Sequence, residues 1–221
     1  MTIEAVLFDF GGVLTAPSGA ILGPWADASG ADPAGLEALL HTGYGDPESR
    51  CAWNLLEQGE MSLEEAQAWA SEEGSRRGWR VDLTALTALM QDIPIRSEMV
   101  DPIRALRTYG FRTALVTNTV REWGPLWEKL PDDLFDAVVA SCDVGLRKPQ
   151  PAFFEHALGR LGGVAPGAAV LLDDTEIVLE GARALGLKTI RVDEDYELAL
   201  ARLEDLLELR DGALRGVAKG A

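Results

Sequence analysis

Cysteine and histidine are the scarcest reactive side chains in this 221-residue chain, which holds two of each. Cys51 and Cys142 cannot build a disulfide framework, and they lack the close spacing of a metal knuckle. His41 and His156 leave too little imidazole for a histidine-based triad or a zinc centre. Positive charge is thin as well: 20 basic residues face 36 acidic ones, for a formal net charge of −16. Nucleic acid and anionic membrane both demand clustered Lys and Arg, so neither is an expected partner. An anionic small molecule would need a strong local positive charge, which a bound divalent cation supplies. No apolar run is long enough to span a bilayer. Met1-Thr2-Ile3-Glu4 brings no basic region and no long apolar stretch, so no signal peptide and a cytoplasmic location are expected.

With 47% hydrophobic and 25% charged residues, the composition is that of an ordinary globular protein. Short apolar runs at Ile3–Phe8, Thr113–Val116, Ala137–Ala140, Ala169–Leu172 and Lys188–Val192 read as buried parallel strands. Amphipathic stripes lie between them. Met99, Ile103 and Leu106 share one helix face that ends at Tyr109-Gly110; Phe153, Phe154 and Ala157 form another, and Leu200, Leu203 and Leu207 the last. This alternation predicts an α/β fold with a doubly wound, Rossmann-like parallel sheet.

Residues 16–95 break the alternation and show helical patterns only. Ser62-Leu63-Glu64-Glu65 has the form of a capping box, and Asp32-Pro33 and Asp46-Pro47 look like helix starts. The expected organisation is a core of residues 1–15 and 96–221 with a helical subdomain, 16–95, inserted after the first strand. The tail after Asp211 is expected to fray.

Four polar clusters fall at the C-terminal ends of predicted strands, where open α/β sheets place their ligand crevice. In the first, Asp9 follows the opening strand and precedes Gly11-Gly12, a pairing that also suits a plain turn. Thr117-Asn118-Thr119 offers hydroxyl and amide groups suited to phosphate oxygens, or to capping a helix. Lys148 precedes Pro149, which holds it in extended backbone; a solvated turn lysine is the plainer alternative. Asp173-Asp174 sets two carboxylates side by side, which repel unless a cation or protons lie between them. That pair favours a metal site.

In order and spacing the four clusters resemble the motifs of the haloacid dehalogenase superfamily, over nearly the whole chain. Ser141-Cys142-Asp143-Val144-Gly145-Leu146-Arg147-Lys148-Pro149-Gln150-Pro151 is similar to the branch, of subfamily IA type, that includes the N-terminal phosphatase domain of soluble epoxide hydrolase. Leu55–Glu65, around Gln58-Gly59-Glu60-Met61-Ser62, looks like the helical cap of that branch. The resemblance implies a magnesium-dependent hydrolase, a phosphatase acting on a small phosphorylated metabolite through an aspartyl-phosphate. It assigns Asp9 as nucleophile and Thr117 and Asn118 to the phosphoryl group. Lys148 would neutralise both that group and Asp9. Mg²⁺ would be held by Asp9, the backbone carbonyl of Gly11 and Asp174, with Asp173 in support.

Two positions depart from the pattern. Gly11 stands where such phosphatases carry a second aspartate, the general acid and base, and Val178 stands where Asn is frequent. A missing general acid lowers a rate by about 10²–10⁴-fold. Alkyl phosphates should suffer more than aryl phosphates, since a phenolate leaves without a proton. Two alternatives follow: a catalytically weakened binding protein, or a carbon–halogen hydrolase, which needs no magnesium. A Schiff-base hydrolase is disfavoured because the first lysine, Lys129, lies beyond the insertion. Arg76, Arg77 and Arg80 around Trp79 read as a solvated helix end, and Trp123 with Trp127 as core or interface filling.

Overall fold

Apolar runs too short for helices form, among the described residues, five strands: β1 Ala5–Phe8, β2 Arg112–Thr117, β3 Ala137–Ala140, β4 Ala169–Asp173 and β5 Lys188–Arg191. The computed structural model describes residues 2–17, 19–43, 45–46 and 49–214. The strands form one sheet in the order β3-β2-β1-β4-β5, and every pairing is parallel. Each expected strand is present, with ends shifted by no more than two residues.

The continuous apolar character of β1 follows from its place in the middle of the sheet. Val6 and Phe8 pack into one hydrophobic cluster, while Ala5 and Leu7 pack into the other. Successive side chains of a strand face opposite ways, so a strand covered on both sides has no position for a polar residue. α6 (Val100–Thr108) and α10 (Tyr196–Leu206) cover the first face, through Ile103, Leu106, Leu200 and Leu203. α8 (Pro151–Arg160) and α9 (Glu176–Leu185) cover the second, through Phe153, Phe154, Leu179 and Ala182. A short α7, Ser141–Val144, follows β3 directly.

Between Thr15 and Ile95 the described residues form α-helices and no strand: α1 (Gly19–Ser29), α2 (Pro33–Leu40), α3 (Ala52–Glu57), α4 (Leu63–Ser75) and α5 (Leu83–Gln91). Asp32 caps α2 by accepting from the Gly35 N–H, with Pro33 at the first helical position. Ser62 and Glu65 form the expected reciprocal capping box on α4. Pro47 lies outside the described residues, and so does the helix start read at Asp46-Pro47. The chain leaves the core and returns to it side by side. Thr15 bridges Ile95, Ala16 N–H donates to the Pro94 carbonyl, and Arg96 N–H donates to that of Leu14.

Of the tail expected to fray after Asp211, the first residues are held: Glu204 accepts from the N–H groups of Gly212 and Leu214, and Leu214 is buried. The rest of that tail lies outside the described residues. Trp123 and Trp127 fill space against the hydrophobic clusters as expected, on two short 3-10 turns divided by Gly124-Pro125. Trp123 also packs against Trp53 of α3, with ring centres 6.3 Å apart. No helix among the described residues is long and apolar enough to cross a membrane.

Candidate active site

Register alone brings the first and fourth clusters together. Phe8 pairs with Leu172 across β1 and β4, so Asp9 and Asp173 emerge from neighbouring strand ends. The Asp9 N–H donates to the Leu172 carbonyl at 2.9 Å, fixing the turn that follows. On the other flank β2 ends at Thr117, whose side chain is buried. These ends meet where the strand order changes direction, the usual crevice of an open α/β sheet.

Lys148 unites the carboxylates. Its Nζ lies 2.7 Å from Asp9 Oδ1 and 2.7 Å from Asp173 Oδ2. The side chain is held in place by a reciprocal clamp: Lys148 N–H donates to Asn118 Oδ1 at 2.9 Å, and Asn118 Nδ2 donates to the Lys148 carbonyl at 3.0 Å. The amide of Asn118 therefore orients the lysine segment. Asp173 is fully occupied, with one oxygen on Lys148 and the other accepting from the Thr175 N–H at 2.9 Å. Asp174 accepts from the Thr175 hydroxyl.

One carboxylate oxygen from each of Asp9, Asp173 and Asp174 fits within a mutual distance of 4.8 Å. Burial pushes the Asp9 carboxyl up to about 8, and the charges of Asp173 and Asp174 add to this while Lys148 opposes it. Asp174 is pushed up to about 6 by burial and by Asp173. Burial alone would lower the Lys148 ammonium, but Asp173 and Asp9 outweigh it and hold it above its ordinary value. Three carboxylates thus share one ammonium, and a second cation would relieve the excess.

Gly12 makes this closeness possible. Its φ is +70°, and a β-carbon there would lie 2.1 Å from Asp174 Oδ2. Gly12→Ala is therefore expected to displace Asp174, weaken the binding of a divalent cation and destabilise the fold by about 1–2 kcal/mol from left-handed strain. Isothermal titration and thermal melts of the variant measure both; unchanged cation affinity would detach Asp174 from cation binding. Gly11 differs, since a β-carbon on it meets nothing within 4 Å.

Above these groups opens a cavity of about 480 Å³ lined by Asp9, Gly11, Gly12 and Asp174 from the sheet edge. The helical insertion contributes an apolar wall that includes Ile21, Leu22, Leu86, Met90 and Ile93, together with Glu37 and His41. Thr117 and Lys148 are buried beside it, 3% and 2% exposed. Val178 is buried in α9 and does not line the cavity. Arg76 and Arg77 pair with Glu72 and Glu73 on α4, and Arg77 lies over the Trp79 ring, as a solvated helix end would. Burial raises the Cys142 thiol to about 11, which leaves it inert.

One contact had no signal in the sequence. Glu57 of α3 reaches Arg147, the neighbour of Lys148, with Oε2 2.8 Å from Nε; both side chains are buried. Glu57 also accepts from the Trp53 indole, and its carbonyl accepts from the Ser141 hydroxyl. The insertion is thereby docked onto the loop that carries the lysine.

A parallel sheet whose carboxylates and ammonium converge at the switch point, beneath a helical insertion, defines a Rossmann-like α/β enzyme. The chain belongs to the haloacid dehalogenase-like hydrolases, whose family model matches residues 3–186. It is 32% identical over 214 residues to acyl-CoA dehydrogenase family member 10 of Mus musculus, covering 92% of this chain and 19% of that protein. Against bifunctional epoxide hydrolase 2 of Sus scrofa the identity is 28% over 225 residues, covering 92% of this chain and 39% of that one. The chain thus spans well under half of either relative. Among solved structures, a Bacteroides thetaiotaomicron HAD family enzyme in complex with magnesium and inorganic phosphate superposes with a TM-score of 0.59 at 19% identity, covering 87% of this chain and 96% of that one.

Proposed function

We propose that the protein is a magnesium-dependent phosphatase that cleaves small phosphomonoesters through an aspartyl-phosphate on Asp9. The observation that carries this reading is the Lys148 ammonium 2.7 Å from Asp9 Oδ1, with Asp174 completing a carboxylate cluster 4.8 Å across. Hard oxygen donors in excess of positive charge suit Mg²⁺, with Asp9, Asp174 and the Gly11 carbonyl holding it and Asp173 supporting. When bound, Mg²⁺ supplies positive charge to the phosphoryl oxygens.

Asp9 attacks phosphorus, so that a carboxyl oxygen–phosphorus bond forms as the ester bond breaks; water then cleaves the acyl phosphate. Lys148 lets the anionic nucleophile and the anionic ester approach each other. Thr117 and residue 118 hold the phosphoryl oxygens, and the Asn118 amide keeps the lysine aimed. Helices α1 to α5 act as a cap, residues 16–95, whose apolar wall receives the leaving alcohol. The core is then residues 1–15 and 96–221.

Hydrolysis of p-nitrophenyl phosphate is expected with Mg²⁺, to vanish in EDTA and to return when Mg²⁺ is restored. Turnover that survives EDTA, or halide release from a haloacid in place of phosphate release, overturns the reading. Binding of Mg²⁺ and beryllofluoride without turnover of any ester would leave a binding protein.

A further inference from the structure

The departing alkoxide needs a proton, and Gly11 has no side chain to give one. In-line displacement puts the leaving oxygen on the far side of phosphorus from the nucleophile. Asp9 sits at the C-terminal end of the central strand β1, so the leaving oxygen points across the cavity toward the helical insertion. Among the described residues, only Glu37 and His41 of that insertion bring ionisable side chains to the cavity wall. Both stand at the end of α2, one turn apart, with His41 as its C-cap. Glu37 is exposed, whereas His41 is half-buried.

We propose that His41 is the general acid and base of this enzyme, acting from the insertion in place of the side chain absent at Gly11. The proposal rests on the phosphatase reading. As Asp9 bonds to phosphorus and the ester bond breaks, the imidazolium passes its proton to the leaving oxygen and the alcohol departs. The neutral imidazole then takes a proton from the water that attacks the aspartyl-phosphate, which returns Asp9 and the imidazolium. Protons and electron pairs balance over the cycle, and no further reactant is needed.

The surroundings suit the task. Burial lowers the His41 pKa below the ordinary imidazole value and Arg147 adds to this, while Glu37 on its own helix and Glu57 on α3 oppose it. Across the cavity stand Asp9, Asp174, Glu176, Asp193, Glu194 and Arg191. An imidazole can give a proton in one step and take one in the next, as the two half-reactions require. Alkyl-ester turnover should fall as pH rises through the His41 pKa, because the protonated form is the donor.

The test compares His41→Gln with the parent on an alkyl and an aryl phosphate, with Mg²⁺. Turnover of the alkyl ester is expected to drop about 10²–10³-fold, that of p-nitrophenyl phosphate about tenfold or less, and the alkaline limb of the alkyl profile to disappear. The open space over Gly11 supplies a second arm: adding Gly11→Asp to His41→Gln should recover most of the alkyl rate. In NMR, the His41 resonances should move on addition of Mg²⁺ and beryllofluoride. Equal losses on both esters, no loss on either, or the selective loss in Glu37→Gln instead would overturn the assignment. Loss of the phosphatase reading is recognised separately, by activity that does not depend on Asp9.

Discussion

Asp9→Asn is expected to abolish phosphate release, by on the order of 10⁴-fold or more, because the amide cannot form the acyl phosphate. The same substitution should make the metal-free protein more stable. Asp9 is buried beside Asp173 and Asp174, and its pKa is pushed up to about 8, so its ionised form is disfavoured in the fold. The sign follows from linkage. A carboxyl raised in the folded state contributes stability at low pH and loses it as pH rises through the folded value. The advantage of Asn over Asp should therefore grow between about pH 4 and about pH 8, with little difference in acid. Lys148 keeps Asp173 as a partner in the variant, so no buried ammonium is stranded. Melting curves in EDTA across this range, beside single-turnover phosphate release, measure both halves. Activity that survives would dismiss Asp9 as the nucleophile; a variant less stable than its parent at pH 8 would deny the carboxylate crowding.

Lys148→Met should act in the opposite direction on stability. It removes the single ammonium that touches Asp9 and Asp173 and leaves both carboxylates buried. Breaking a buried ion pair from one side costs about 3–5 kcal/mol, and here one cation serves two anions. Turnover should fall by about 10³-fold or more, since Mg²⁺ would then be left as the one cation to offset repulsion between Asp9 and the phosphate dianion. The melting temperature should recover in part on adding Mg²⁺ and in part on acidification, as either route neutralises the carboxylates. A variant as stable as its parent at pH 8 would show that Lys148 does not hold the cluster together.

On the proposed reading, Asp9 and Lys148 contribute oppositely to stability while both serve the reaction. A catalytic group held against its electrostatic preference is a familiar reason for an active site to be less stable than it could be.

Much of this arrangement was legible in the sequence because the central strands have no exposed face. A strand buried on both sides must be apolar throughout, so Val6-Leu7-Phe8 announces itself, and the polar residue that ends it falls in the crevice by topology. Asp9, Thr117 and Asp173 were found in this way. Contacts between distant segments left no such trace. Glu57 and Arg147 are 90 residues apart, and each alone reads as a surface charge. His41 sits at the end of a helix whose packing, and not its pattern, turns it to the cavity. Asn118 was placed at the phosphate by its position after β2, but its amide is engaged with the backbone of Lys148, a partner 30 residues away.

The doorway at Thr15 and Ile95 has a further meaning. Exit and re-entry adjoin within a single bridge, so whatever chain is threaded between them leaves the strand alignment of the sheet untouched. Such a socket permits one roof to be exchanged for another of different length. The freedom is not complete, however, because Arg147 is wholly enclosed and Glu57 comes from the exchangeable part. A replacement without an anion at that spot loses this contact, so the roof carries a key as well as a shape.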